Sequence, residues 1–238
     1  MRKKEFIKGI KDGLPICFGY LSVAFAFGIF ALSHSLGVGE AVLISMSNVT
    51  SAGQLAAVPV MVSGGTLLEL AASQFIINLR YSLMSVSLSQ KFDTSFKLRD
   101  KLLAAFIVTD EVFAVASSKK GEVNKEYFFG LILTPYLGWS VGTFIGAVAG
   151  NLLPDMVISA LGIAIYAMFI AIVVPPAKEN RHTLVCVLIA IALSCAFRFV
   201  PFLSSVSSGF SVIICSLIAA GFAALLFPID KKEGEGTS

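Results

Sequence analysis

The chain has 238 residues, of which 56% are hydrophobic and only 14% are charged, and its mean hydropathy is +0.86. This composition excludes a soluble globular domain, and the net charge of +3 comes from loops and termini rather than from a nucleic-acid-binding face. Apolar segments long enough to cross the roughly 30 Å hydrocarbon core of a bilayer recur along the chain. The sequence therefore predicts an all-α, polytopic integral membrane helical bundle.

Seven or eight apolar segments are predicted within a single membrane domain covering 1–238. The first follows a basic N-terminus and, at about 19 residues, is longer than the apolar region of a usual signal peptide, so we interpret it as a retained span. The candidates lie at roughly 14–33, 40–62, 66–89, 102–117, 128–150, 156–174, 183–200 and 210–228.

The two halves of the chain, 14–117 and 128–228, show a weak likeness. Each holds four of the segments, and the fragments GLPICFGYLSVAFAFG and LTPYLGWSVGTFIGAVAG open them with similar proline, tyrosine and small residues. Many transporters contain such repeats, with broken helices at the substrate site. The pattern is compatible with an internal repeat that contains broken or re-entrant helices.

The distribution of lysine and arginine bears on the topology, because cytoplasmic loops carry an excess of both. With eight full spans, the basic loop 91–101 would face outward, whereas a re-entrant 40–62, broken at SNVTSAGQ, returns it to the cytoplasm. A re-entrant 156–174 would then create inverted halves and leave only the lysines of 119–125 on the wrong side. Both versions place the two termini in the cytoplasm.

The third segment has two polar faces around a central arginine. On a helix of 100° per residue, one face carries Glu69, Ser73, Arg80 and Ser87, and the other carries Gln74, Asn78, Ser82, Ser85 and Ser89. An arginine at this depth costs about 2.5 to 3.5 kcal/mol on insertion scales and is usually functional or paired. Glu69 is about 16 Å away along the axis and cannot be its direct partner. Arg80 therefore binds or gates a substrate, pairs with another segment, or snorkels to the interface.

Two further segments carry polar groups at their centres. Asp110 and Glu111 are adjacent and point about 100° apart, so at most one faces a given partner. A carboxylate there could hold a substrate ammonium, pair with Arg80 or carry a proton, and the alternative is a charged interfacial turn. In the second segment, Asn48 and Gln54 with their polar neighbours indicate either a broken-helix site for a small solute or a packing patch.

The fifth segment contains tandem G-x-x-x-G steps, which are typical of a helix-packing surface. The glycines are Gly138, Gly142, Gly146 and Gly150. No metal site or cofactor is predicted. An intramembrane enzyme is not favoured either, because the spans contain neither D-D-x-x-D nor H-E-x-x-H, and no serine and histidine pair.

In their order and spacing, GLPICFGYLSVAFAFG, SAGQLAAV, INLRYSLMSVSL and VTDEVFAV resemble the AzlC family of branched-chain amino acid permeases over nearly the whole chain. The most specific elements are Asn78, Leu79 and Arg80 with the following aromatic residue, and the triplet Thr109-Asp110-Glu111. The resemblance implies a large subunit that exports branched-chain amino acids, often with methionine, together with a small AzlD-like membrane subunit. Many relatives carry histidine where this chain has Tyr81, which weakens the case for a proton relay there.

The expected function is a secondary amino acid exporter of the bacterial cytoplasmic membrane. Arg80 with Asp110 or Glu111 would supply both charges that a zwitterionic substrate needs, and export against a gradient would be coupled most simply to a proton. The alternatives are an importer or channel for another small solute, and a non-transporting membrane scaffold. No nucleic acid partner is expected.

Overall fold

A computed structural model describes residues 2–150, 152–154, 156, 170, 173–203 and 205–227. Over these residues the regular structure is helical, apart from an isolated bridge between Phe92 and Val123. The helices whose bounds lie within the described residues are α1 (Arg2–Ser33), α2 (Val38–Ser47), α3 (Ser51–Val62), α4 (Leu67–Ser89), α5 (Leu98–Phe106), α6 (Asp110–Ser118), α7 (Lys125–Gly150), α8 (Arg181–Phe199) and α9 (Ser208–Leu226).

The predicted class of helical membrane protein is confirmed. Among the described residues, α1, α7, α8 and α9 are long and apolar enough to cross a bilayer. They coincide with four of the predicted segments. The segment 156–174 lies almost wholly outside the described residues, as does the C-terminal tail, so the total of seven or eight segments stays a prediction.

The chain divides into two compact units, Met1–Tyr166 and Ala167–Ser238. In the second unit, α8 and α9 pack in antiparallel directions, since Cys186 contacts Ala219 and Ser194 contacts Cys215. The two predicted repeat halves stay a prediction. The first unit contains every candidate binding residue.

Helices α1 and α7 run parallel and in close contact along the first unit. Gly9 of α1 lies against Leu131 of α7, and Gly28 lies against Ala147, so residue numbers rise together along both helices. For two helices of one chain to run parallel, the chain between them must reverse its direction an even number of times. The segment from α2 to α6 must therefore return the chain to the end where α1 begins.

Helices α2 and α3 form a hairpin, which we call the outer hairpin. On α2, Ser45 contacts Thr143 of α7, with 2.5 Å between the two hydroxyl oxygens, and Gln54 of α3 donates to Ser45 over 2.7 Å. If α3 continued the axis of α2, residues 45 and 54 would be about 13 Å apart, too far for this contact. The chain instead turns back at residues 48–50, within the predicted break at SNVTSAGQ.

Helix α4 crosses the unit in the direction opposite to α7. Near its middle, Gln74 bonds to Gly53 beside the tip of the outer hairpin, whereas Leu88 lies in the apolar cluster that contains Phe128 at the start of α7. Its 23 residues span about 33 Å, enough to cross a bilayer. The outer hairpin therefore returns to the end where α1 finishes.

The predicted segment 102–117 is a second hairpin, formed by α5 and α6, which we call the inner hairpin. The treatment of 102–117 as one apolar segment was wrong, because α5 ends at Phe106 and Thr109 begins a new helix, capping α6 by accepting a hydrogen bond from the Val112 N–H. Both ends of the hairpin lie where α1 and α7 begin. Asp100 pairs there with Lys125 at 2.6 Å, and Lys119 is tied to α1 through Glu5.

This hairpin resolves the topology that the sequence left inconsistent. Every lysine and arginine of residues 1–150 other than Arg80 lies in 2–11, 91–101 or 119–125, and all three stretches are at the end where α1 begins. The lysines of 119–125 that an inverted-half topology misplaced are thus on the same side as the N-terminus. The positive-inside rule predicts that this end is cytoplasmic.

We expect single cysteines at Leu36 and Ser63 to react with a membrane-impermeant reagent added outside cells, and cysteines at Thr94 and Lys120 to react only after permeabilisation. The measurement is labelling of each variant in a background without the native cysteines. External labelling at position 120 would contradict the inner hairpin, because it would require α5 and α6 to cross the membrane together.

The glycine contacts predict a sharp difference between two Gly→Ala variants. A Cβ at Gly142 would lie 2.6 Å from the Leu21 carbonyl oxygen of α1, whereas nothing lies within 4 Å of one at Gly19. We expect Gly142→Ala to lower the melting temperature of the purified protein and Gly19→Ala to leave it unchanged, because only the first forces α1 and α7 apart. Equal melting temperatures would show that this close approach does not contribute to stability.

Candidate functional site

The tips of the two hairpins meet beside Tyr20 in the middle of α1. Val49, at the tip of the outer hairpin, packs in one cluster with Tyr20 and Trp139. At the tip of the inner hairpin, the Thr109 hydroxyl oxygen lies 2.6 Å from that of Tyr20. We call the polar groups around this meeting point the central site; its residues are Tyr20, Asn48, Gln74, Asn78, Arg80, Thr109, Asp110 and Glu111.

Neutral amides join the outer hairpin to α4. The Asn48 side chain donates to the Gln74 carbonyl oxygen over 2.9 Å, and the Gln74 amide nitrogen donates to the Gly53 carbonyl over 2.9 Å. Asn78, one helical turn beyond Gln74, donates to the same Gln74 oxygen over 3.3 Å. These bonds connect the break in the outer hairpin to α4 through three neutral side chains.

Gln54 lies in a different network from the charged residues. It is fully buried, as are Ser45 and Thr143, and the three side chains connect α3, α2 and α7. The structure thus places Gln54 between helices and does not bring it into contact with Arg80. Its predicted role in substrate binding stays a prediction.

Arg80 forms an ion pair with Asp110 at the tip of the inner hairpin. The Nη2 atom lies 2.7 Å from Oδ2 of Asp110, and it also donates to the Tyr81 hydroxyl over 3.1 Å. The Arg80 and Asp110 side chains remain 57% and 46% exposed. Of the three roles that the sequence left open, the structure shows the pair with another segment, and it shows a pair that a ligand can reach.

The two adjacent carboxylates have different partners. Asp110 faces Arg80 on α4, whereas Glu111 accepts a hydrogen bond from the Tyr20 hydroxyl on α1. The 100° between neighbouring helical positions allows the two side chains to have different partners. Both carboxylates occupy the first turn of α6, where the helix dipole stabilises negative charge.

Four helix ends converge on the central site. Helices α3 and α6 begin there and present backbone N–H groups, while α2 and α5 end there and present carbonyl groups. Ends of discontinuous helices serve as binding sites for anionic substrate groups and for cations in transporters. With the Arg80 and Asp110 side chains, the site offers partners for both charges of a zwitterion.

The sequence pattern did not identify Tyr20, Gln74 or Thr109 as residues of the central site, nor Trp139 beside it. Tyr20 packs edge-on against Trp139, with 5.0 Å between ring centroids, and Gln74 connects the outer hairpin to α4. The sequence could have indicated Tyr20 and Trp139, since each places a hydrogen-bonding group within an apolar span.

This arrangement, with opposed re-entrant hairpins meeting at a charged pair, defines a polytopic helical membrane protein with a central polar site. The chain belongs to the AzlC family: the family model, described as AzlC protein, matches residues 15–153, which include all of the central site. An uncharacterized membrane protein of Archaeoglobus fulgidus is 35% identical over 74% of this chain and 78% of its own length. The inner membrane protein YgaZ of Escherichia coli is 31% identical over 78% of each chain. No solved structure matches.

The amide network predicts that Gln74→Glu destabilises the protein. The substitution keeps the size of the side chain but replaces the group that donates to the Gly53 carbonyl with an acceptor, which costs about 1 to 3 kcal/mol when a buried group loses its partner. The matched control is Gln90→Glu at the exposed end of α4. Equal melting temperatures for the two purified variants would contradict this function of Gln74.

Proposed function

We propose that the protein is a secondary transporter that exports branched-chain amino acids, with methionine as a further substrate, across the bacterial cytoplasmic membrane. Membership of the AzlC family supports transport, and the E. coli relative is named as an inner membrane protein. The geometry of the central site supports a small zwitterionic substrate.

The observation that carries the proposal is the accessible Arg80–Asp110 pair at the meeting point of the hairpins. Without substrate, each charge compensates the other, which lowers the cost of keeping both within a membrane. The planar guanidinium binds a carboxylate through two parallel hydrogen bonds. A substrate carboxylate can therefore replace Asp110 at Arg80, and the released Asp110 carboxylate is then available to the substrate ammonium.

Apolar groups beside this pair fit an aliphatic side chain. The cluster of Tyr20, Ala24, Val49 and Trp139 lies where the two hairpin tips meet, next to the polar groups. Substrate pockets combine such apolar surfaces with a few placed polar groups. These four residues are at most 8% exposed, so a branched aliphatic chain would contact them when the hairpin tips separate, while its charged end occupies Arg80 and Asp110.

Coupling and assembly complete the proposal. Export against a gradient requires a coupling ion, and a carboxylate of the central site is the natural carrier of a proton. The resemblance to the AzlC family also supports a small AzlD-like membrane subunit as partner. The proposal assigns no catalytic step to the chain.

The test is efflux of leucine, isoleucine and valine from cells loaded with dipeptides that contain them, with and without the gene. We expect Arg80→Lys to reduce efflux of all three by about tenfold or more, because lysine keeps the charge but lacks the planar fork. Arg99→Lys, on the exposed cytoplasmic side of α5, is the matched control.

Protein amounts in the membrane are measured alongside efflux. Wild-type efflux from a normally expressed Arg80→Lys protein would remove Arg80 as the carboxylate ligand. A changed ratio among the three amino acids would indicate contact with the aliphatic part instead, since all three share the carboxylate. Uptake without efflux would favour the importer.

A further inference from the structure

Tyr20 has two polar neighbours and a single hydroxyl proton. Its oxygen lies 2.6 Å from that of Thr109, and its hydroxyl also bonds to the Glu111 carboxylate. An ionised carboxylate only accepts hydrogen bonds, whereas a threonine hydroxyl can donate as well. The proton of Tyr20 therefore goes to Glu111, and the Thr109 hydroxyl donates to the Tyr20 oxygen.

These bonds continue into the backbone of the inner hairpin. The Thr109 oxygen that donates to Tyr20 also accepts from the Val112 N–H as the cap of α6. The result is a chain of hydrogen bonds from Val112 through Thr109 and Tyr20 to Glu111, and such chains strengthen one another. Packing against Trp139 leaves Tyr20 only 8% exposed, which restricts the direction of its hydroxyl.

Among Arg80, Asp110 and Glu111 the central site carries one more negative than positive charge. Arg80 supplies one positive charge, and Asp110 and Glu111 supply two negative charges on adjacent residues. All three interact electrostatically, so two carboxylates are near one guanidinium. The structure pairs Asp110 with Arg80 and holds Glu111 on Tyr20 instead.

We propose that Tyr20 is a positioning residue that holds the Glu111 carboxylate away from Arg80, so that Arg80 has one exchangeable counter-charge. This role rests on the proposed function, in which the substrate carboxylate replaces Asp110 at Arg80. If Glu111 were free, a second carboxylate attached to the same hairpin would compete with the substrate for the guanidinium.

The test removes the Asp110 partner of Arg80 and asks whether Glu111 can replace it. The readout is the melting temperature of each purified variant, a measurement that needs no substrate. Asp110→Asn should lower the melting temperature by several degrees, because it leaves the guanidinium without its carboxylate. Adding Tyr20→Phe, which keeps the ring against Trp139, should recover part of that loss because Glu111 is released to Arg80. Adding Glu111→Gln as a third change should remove the recovery.

The matched control is Tyr127→Phe, which removes another tyrosine-to-carboxylate bond, of 2.8 Å to Asp12, at the cytoplasmic end. Combined with Asp110→Asn it should give no recovery. A Tyr20→Phe/Asp110→Asn protein that melts at or below the Asp110→Asn protein would overturn the proposal, and so would recovery that persists with Glu111→Gln. Asp110→Asn without any loss would overturn it too.

A transport measurement separates this role from a merely structural one. In Tyr20→Phe we expect the KM for leucine efflux to rise about tenfold with a nearly unchanged maximal rate, which corresponds to the loss of one charge-assisted hydrogen bond. In a Glu111→Gln background the same substitution should have no further effect on KM. If the wild type releases none of the three amino acids, the proposed function fails, while the order of melting temperatures still decides the role of Tyr20.

Discussion

The structure of the first unit depends on one constraint, which is that a bilayer provides no hydrogen-bond partners for backbone groups. A helix that ends within the membrane must therefore be satisfied by neighbouring protein. Both hairpins obey this rule at the same depth, because Thr50 caps α3 of one by accepting from the Gly53 N–H and Thr109 caps α6 of the other. The central site forms where these requirements coincide, so its polar character follows from the breaks themselves.

The close packing of α1 and α7 provides the frame for this site. Glycines allow the two backbones to approach, and the parallel direction of the helices leaves room for one hairpin at each end. The outer hairpin rests on α7 through Ser45 and Thr143, while the inner hairpin contacts α1 through Thr109 and Tyr20. The outer hairpin also packs on α1 through Val49 and Tyr20, and the inner hairpin also pairs with α7 through Asp100 and Lys125, so each hairpin contacts both long helices.

The two hairpins differ in the chemistry of their attachment to α4. Neutral amides hold the outer tip, whereas the inner tip is held by the ion pair of Arg80 and Asp110. A zwitterion competes with a bond between opposite charges much more effectively than with a bond between neutral amides. Under the proposed function, substrate binding therefore acts first on the inner hairpin, which lies at the cytoplasmic end where an exporter takes up its substrate.

The sequence by itself determined the membrane class and the need of Arg80 for a partner, and it indicated a break near Asn48 as one of two interpretations. Each of these depends on hydropathy, charge or local backbone chemistry, which can be read along the chain. Only the tertiary structure decided that 102–117 folds back, that Asp110 and Glu111 have separate partners, and that Gln54 lies between helices. These outcomes depend on contacts between distant residues, such as Tyr20 and Thr109, 89 positions apart, and the local sequence pattern does not specify those contacts.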